Sequence, residues 1–473
     1  MILNSFAFLV FFIVVFILFW KIPSRFQWIW LLISGYYFYG SYKPAYLGII
    51  LLTTLVNYYC AIKIHTRPRY KGRYLLFALF LDIGALFIFK YFNFFSLTIN
   101  GICRMNIPQF KLLLPLGISF YTLQVTGYLL DVYKGKIPPE RHFGFFSLFV
   151  CFFPLLSAGP IERSTTLLPQ LKKKHTFNYI QMTDGVKLFA FGLFKKMVIA
   201  DNLGIIVDRV FGSLTEYKGM SLILTVFFYS WQIYMDFSGY TDMARGSAKM
   251  VGINLMENFN LPYFADSIQD FWRRWHISLS SWLRDYIYIP LGGNRKGIGR
   301  TILNNIIVFG VSGLWHGASW NFVIWGLLHG FVTSLERVGK KIVRTPIPVP
   351  GILKILSTYF FISMFWVFFR ATTLKDALYV LKNSFVGVRN FVSLNYVEAS
   401  LSQLFVFNRT EIMITCALLS IAVFLEIIQK KESFFHLLSK QPIYVRYFVY
   451  ILMVFMIIQL RNAQIKEFIY IRF

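Results

Sequence analysis

The chain has 473 residues, 57% of them hydrophobic and 19% aromatic, with 53 Phe and a mean hydropathy of +0.57. No ordinary soluble domain is this apolar, so lipid must cover much of the surface. The formal charge is +27, from 48 Lys and Arg against 21 Asp and Glu. In a soluble protein that excess would point to nucleic acid. Here it falls in short loops between apolar runs, where membrane orientation and anionic lipid headgroups account for it and nucleic acid does not.

The first run, 4–20, has no basic residue ahead of it, which argues for a retained span rather than a cleaved signal peptide. Further apolar runs follow at 28–40, 45–62, 74–98, 112–130, 185–207, 219–238, 302–315, 318–333, 352–369, 410–428 and 443–460. At roughly 20 apolar residues per crossing, they predict an all-α polytopic membrane protein of about 11–12 spans. The stretch 143–160 is interrupted by Pro154, Gly159 and Pro160 and reads as re-entrant. The segment KIHTRPRYKGR (63–73) carries five Lys and Arg and no acid, so it is expected in the cytoplasm with the N-terminus outside. The basic segments 131–142, 161–175, 337–344 and 429–446 fall on the same side.

Residues 239–300 break the pattern, being long, polar and rich in Trp and Tyr. Within them, FWRRWHISLSSWLRDYIYIPLGG reads as one amphipathic interfacial helix over 272–287. Its Trp272, Trp275, His276, Leu279, Trp282, Leu283 and Tyr286 fall in an arc of about 120°. No repeat or linker marks a second domain, so residues 1–473 are read as one.

An ionisable residue at membrane depth is a functional hypothesis by default. His316, in VSGLWHGASWNF (311–322), lies between two runs each short for a span, with Gly317 allowing a tight turn. Its neutral ring suits removal of a hydroxyl proton; the alternative is a histidine that stitches two helices. His276 and His329 read as structural in local context, His329 as a helix-end residue. In WQIYMDFSGYTDMARG (231–246), Asp236 and Asp242 are six apart and do not form a paired acid–base site, so Asp–Arg stitching is the expectation. The four cysteines have no metal spacing and no evident disulfide framework, and no metal site is expected. The motifs GxxxxGK[ST], HExxH, CxxC and GxSxG are absent.

Six stretches together are specific: PLGISFYTLQVTGYLLDVYKG (115–135), FFPLLSAGPIER (152–163), YMDFSGYTDMARGSAKMVGINLMENFNLPY (234–263), FWRRWHISLSSWLRDYIYIPLGGNR (271–295), LWHGASWNFVIWGLLHG (314–330) and FWVFFRA (365–371). In order and content they resemble the membrane-bound O-acyltransferase family, most closely its bacterial branch that O-acetylates extracytoplasmic polysaccharides. The resemblance implies a helical bundle around a tunnel and acyl transfer to a hydroxyl. It maps the catalytic base onto His316 and a second functional histidine onto His276. It also implies acetyl-coenzyme A as donor, a glycan acceptor such as peptidoglycan or alginate, and location in the bacterial inner membrane. A separate SGNH-type extracytoplasmic partner is implied in trans.

On that reading Arg273, Arg274 and Arg284 would flank the donor entrance, since guanidinium groups suit phosphates. Trp315 and Trp320 would wall the site from water, and Asn321 would orient the imidazole; Asp236 is a further candidate for substrate contact. The rivals are D-alanyl transfer to teichoic acid from a carrier protein and a transporter of an acyl or glycan carrier without chemistry.

Overall fold

The computed structural model describes residues 1–157, 159–342, 349–406, 408–430, 432–461 and 468–469. Among these residues the regular elements are all helices. Six helices are long and apolar enough to cross a membrane: Pro44–Thr66, Pro68–Cys103, Gly297–His316, Gly351–Arg370, Arg409–Gln429 and Ile443–Leu460. Fewer pass that test than the 11–12 spans expected, and the reason is physical. Helices of the inner bundle are covered by neighbouring helices rather than lipid, so they can carry polar residues that break an apolar run.

The Met220–Met250 helix is the clearest case. The sequence predicts a span at 219–238 followed by a polar segment, whereas the structure continues one helix through both. Its charges are answered from the neighbouring helix: Lys195 Nζ lies 2.8 Å from Asp242 and Lys196 Nζ 2.5 Å from Asp236. Asp242 also meets Arg245, at 3.3 Å. Asp236 therefore stitches through lysine, not the arginine expected.

Close packing makes this possible. Gly239 and Gly246 lie two helical turns apart, as do Gly185 and Gly192 on the antiparallel partner that begins with Tyr179–Leu193. A Cβ on Gly192 would stand 2.5 Å from the carbonyl oxygen of Gly239, and one on Gly185 2.9 Å from that of Gly246. Only hydrogen at these positions lets the two backbones approach, as in small-residue seams between membrane helices.

The partner helix widens into a π-helical stretch at Phe194–Ala200, which carries Lys195 and Lys196, before resuming as Asp201–Gly212. A second π-helical stretch, Phe87–Tyr91, interrupts the Pro68–Cys103 span. The run 112–130 begins its helix only at Ile118, after a segment without regular structure and a turn at Leu116–Gly117.

The stretch 143–160 is a broken helix, as expected of a re-entrant segment. Phe143–Cys151 ends at an extended Phe152, a short turn Phe153–Leu156 follows, and Ala158 lies outside the described residues. The carbonyl freed at Phe149 accepts from Gln124 Nε2 at 2.7 Å. Residues 343–344 of the basic segment 337–344 and Lys431 of 429–446 also lie outside the described residues.

Several basic loops gather at one end of the bundle. Tyr58 donates to the Arg141 carbonyl, Lys71 sits over the Tyr133 ring, Trp28 packs on His142, and Phe19 on His175. At the same end Trp20 Nε1 reaches the carbonyl of Met250.

Gly297–His316 and Trp320–Ile342 form a helical hairpin, and both are full-length helices rather than the short pieces read from the sequence. Gly313 and Gly326 let them touch: a Cβ on Gly313 would stand 2.2 Å from the Phe322 carbonyl oxygen. Gly313→Ala is expected to lower stability by about 1–3 kcal/mol, the usual cost of overpacking, read as a fall in the thermal midpoint of the purified protein. An unchanged midpoint would mean that this seam is loose.

Candidate active site

His316 is the last residue of its helix, and the helix end is closed without using its side chain. The last four carbonyls of a helix have no partner inside it, and here each finds one. Gly317 N–H donates to Gly313 at 3.3 Å and Tyr91 O–H to Leu314 at 2.9 Å. Lys90 Nζ donates to Trp315 at 2.7 Å and to His316 at 3.3 Å. A cation at a helix C-terminus also meets the negative end of its dipole. The same ammonium reaches Ser119 Oγ at 3.4 Å.

The His316 imidazole is buried in aromatic rings. Trp325 lies edge-on at 4.9 Å between centroids, Trp315 at 5.0 Å and Phe369 at 5.4 Å. His276 lies 6.2 Å from it, so the two histidines of the predicted site do meet. His329 joins from the other side of Trp325, also at 4.9 Å. It lies inside the Trp320–Ile342 helix rather than at a helix end, and its Nδ1 accepts from Trp272 Nε1 at 3.1 Å.

The continuous helix over 272–287 is not formed. Ile268–Arg274 stops, His276 turns into the left-handed region at φ +43°, and Ile277–Leu283 starts afresh before a π-helical stretch at Arg284–Tyr288. A non-glycine residue held there is strained, and such strain collects at functional sites. Asn258 compensates from outside the segment: its carbonyl accepts from Ile277 N–H at 3.0 Å and its Oδ1 from Ser278 N–H at 3.1 Å. The break turns His276 inward, where Phe237 meets its ring edge-on at 4.7 Å.

Two cavities lie along the Met220–Met250 helix, one beside Tyr234 to Lys249 and the other beside Tyr229 and Gln232. One, of about 530 Å³, is lined by Lys187, Lys195, Ser238, Thr241, Arg245, Lys249 and Asn258. Buried Ser238 Oγ, Thr241 Oγ1, Asn258 Nδ2 and Arg245 Nε in its wall have no hydrogen-bond partner among the described residues. The other, of about 560 Å³, is lined by Lys90, Asp208, Tyr229, Gln232, Phe322 and Arg370, with Arg370 bonded to Asp208 at 2.8 Å. A narrower cleft of about 40 Å³ touches His316 itself, beside Lys90, Ser119 and Trp315, with room for a water molecule or two.

Residues 139–374 match the family model described as MBOAT, membrane-bound O-acyltransferase family. The chain is 42% identical over 404 residues to the peptidoglycan O-acetyltransferase of Helicobacter pylori, covering 79% of this chain and 76% of that one. The chain belongs to the membrane-bound O-acyltransferase family. A probable alginate O-acetylase of Azotobacter vinelandii is 39% identical, over 80% of this chain and 76% of its own length. The teichoic acid D-alanyltransferase of Bacillus subtilis is more distant, at 29% over 62% of this chain and 76% of its own.

The other candidate residues of this acyltransferase divide. Trp315 walls the site, its Nε1 donating to the Ser119 carbonyl at 3.2 Å and its ring 5.7 Å from that of His276. Trp320 does not; it is 52% exposed and packs on Phe94. Asn321 points away from the imidazole, donating to the Ala371 carbonyl at 2.8 Å. Arg273 is exposed, Arg274 bonds Asp270 at 2.7 Å and Arg284 bonds Asp285 at 2.8 Å. None of the three lines either cavity. Asp236 is held by Lys196 and accepts from Ile469 N–H at 2.9 Å.

Lys90 and Asn258 carry parts of the site that the sequence expectations omit. Lys90 did have a signal, being the only basic residue between Arg73 and Arg104 and set in an apolar run. Asn258 has none, because its partners are backbone groups of a break that the sequence does not announce.

Proposed function

We propose that this membrane acyltransferase moves acetyl groups from cytosolic acetyl-coenzyme A to a hydroxyl on the outer side of the bacterial inner membrane, for O-acetylation of peptidoglycan, alginate or a related glycan. The observation that carries this reading is the buried pair His276 and His316, 6.2 Å apart, in a chain with separate cavities beside two stretches of one helix, one of them sharing Lys90 with the cleft at His316. Donor and acceptor then meet without either crossing the membrane. The acceptor oxygen attacks the thioester carbonyl, the C–O bond forms as the C–S bond breaks, and the hydroxyl proton passes to His316 and on to the departing thiolate.

The more polar cavity, lined by Lys187, Arg245 and Lys249, suits the donor. Lys187, Arg245 and Lys249 offer cations to its phosphates, while Ser238, Thr241 and Asn258 offer polar atoms to the amide-bearing arm. Its lining includes Lys249, next to Met250 at the end where the basic loops gather, which supports a cytoplasmic assignment for that end and an N-terminus outside. Arg370, Asp208, Gln232 and Tyr229 then face the acceptor. Completion of transfer to the polymer is assigned to an SGNH-type partner in trans. D-alanyl transfer is the second reading, and the lower identity to the teichoic acid enzyme is what disfavours it.

The test is transfer of labelled acetyl from acetyl-coenzyme A supplied outside or inside proteoliposomes, compared with D-alanyl-carrier protein as donor. Use of acetyl-coenzyme A from the cytoplasmic face alone is expected; use of the D-alanyl carrier alone would reverse the assignment. His276→Ala is expected to slow transfer about tenfold, or about 1.4 kcal/mol, because it removes a ring that packs the site rather than the base. A loss as large as that of His316→Ala would make His276 a direct participant.

A further inference from the structure

The hairpin formed by Leu47–Thr66 and the helix starting at Lys71 ends in an open cup of about 450 Å³ lined by Tyr59, Arg67, Tyr70, Arg73, Tyr74 and Phe77. Both arms belong to helices long and apolar enough to span a membrane. The cup therefore lies where a span leaves the hydrocarbon, at headgroup depth. Its walls are aromatic rings with phenol tips, the side chains best suited to that depth.

The cup's charge has one sign. No Asp or Glu occurs before Asp82, which is itself buried. Among the described residues, no ion pair engages Arg67, Arg69, Lys71 or Arg73. The cations rest instead on neutral groups: Arg67 Nη1 lies 3.4 Å from Tyr74 Oη, Arg73 sits 5.2 Å over Tyr70, and Lys63 5.2 Å over Tyr59. Such cations keep donors for an anion from outside the chain. Below the cup the surface is apolar and open, with Leu76 68%, Phe77 52% and Phe80 76% exposed, and this track continues from the cup into lipid.

We infer that this cup is a binding site for an anionic phospholipid. Arg67 and Arg73 take the phosphate diester, whose planar guanidinium partners offer paired donors, while the acyl chains run down the Leu76–Phe80 surface. The apolar track is what favours a lipid over free phosphate, which would have no use for it.

The test uses the full-length protein and the double variant Arg67→Gln/Arg73→Gln in nanodiscs of phosphatidylcholine alone, or with cardiolipin or phosphatidylglycerol. Native mass spectrometry after delipidation reads the retained lipid, and thermal unfolding reads stabilisation. The wild type is expected to keep anionic lipid and melt higher in its presence. The double variant is expected to hold it about thirtyfold more weakly, at roughly fivefold per headgroup-facing cation. Its acetyl transfer in phosphatidylcholine alone should match the wild type, which shows that it is folded. If that variant fails to fold, Arg67→Lys/Arg73→Lys replaces it, and retention through charge alone with a weaker hold supports the site. Equal retention by wild type and double variant would overturn the proposal. So would equal stabilisation of the wild type by inorganic phosphate at matched ionic strength, which would make the cup a free-anion site.

Discussion

The His316→Ala protein is expected to fold, to insert and to lose acetyl transfer by about 10²–10⁴-fold, the usual contribution of a positioned general base. Folding should survive because the helix end is closed by Lys90, Tyr91 and Gly317, none of which bonds the imidazole to do so. What the substitution removes is a ring wedged among Trp315, Trp325 and Phe369. His316→Gln refills most of that space without supplying a base, so it separates packing from chemistry. The measurement is single-turnover transfer in proteoliposomes beside the thermal midpoint of each variant. Near-normal transfer by either variant would return His316 to the role of a helix-stitching residue and take the mechanism with it.

The Lys90→Met protein is expected to lose about 10²-fold in kcat, the cost of a small misplacement of reacting groups, with KM for acetyl-coenzyme A nearly unchanged. Methionine matches the stem but donates nothing, so the carbonyls of Trp315 and His316 lose their shared partner. Each such orphaned group costs about 1–3 kcal/mol, and the helix end that carries His316 is where relaxation is cheapest. Lys90→Arg retains charge and donors and should recover a large part of kcat. A proportional loss of kcat and folded protein in both variants would mark Lys90 as a fold residue only. A raised KM would instead assign it to substrate, since it also lines the acceptor-side cavity.

His316 is legible in the sequence because one physical rule isolates it: an imidazole does not enter an apolar segment without a use or a partner. The same rule reaches Lys90, whose charge is equally out of place in its run. Neighbour-based inference fares worse. Asn321 and Trp320 are close to His316 in the chain, yet successive residues of a helix point about 100° apart, and both turn away from it. The break at His276 is hidden for a different reason. FWRRWHISLSSW contains neither Gly nor Pro, and its pattern fits an unbroken helix, while the caps that make two helices cheaper than one come from Asn258. The polar half of the Met220–Met250 helix is illegible in the same sense, because Lys195 and Lys196 that neutralise it belong to another element.

The π-helical stretches Phe87–Tyr91, Phe194–Ala200 and Arg284–Tyr288 make the length of this chain a functional variable. A widened turn accommodates a residue more than a regular one, and each added residue advances the azimuth of the rest of the helix by about 100°. Deleting a single residue inside Phe87–Tyr91 would leave a perfectly acceptable α-helix, still apolar and still long enough to cross the membrane. It would also swing the remainder of that helix around its axis and carry Lys90 off the end of the His316 helix. A one-residue gap there would separate an active lineage from an inactive one whose membrane span is intact.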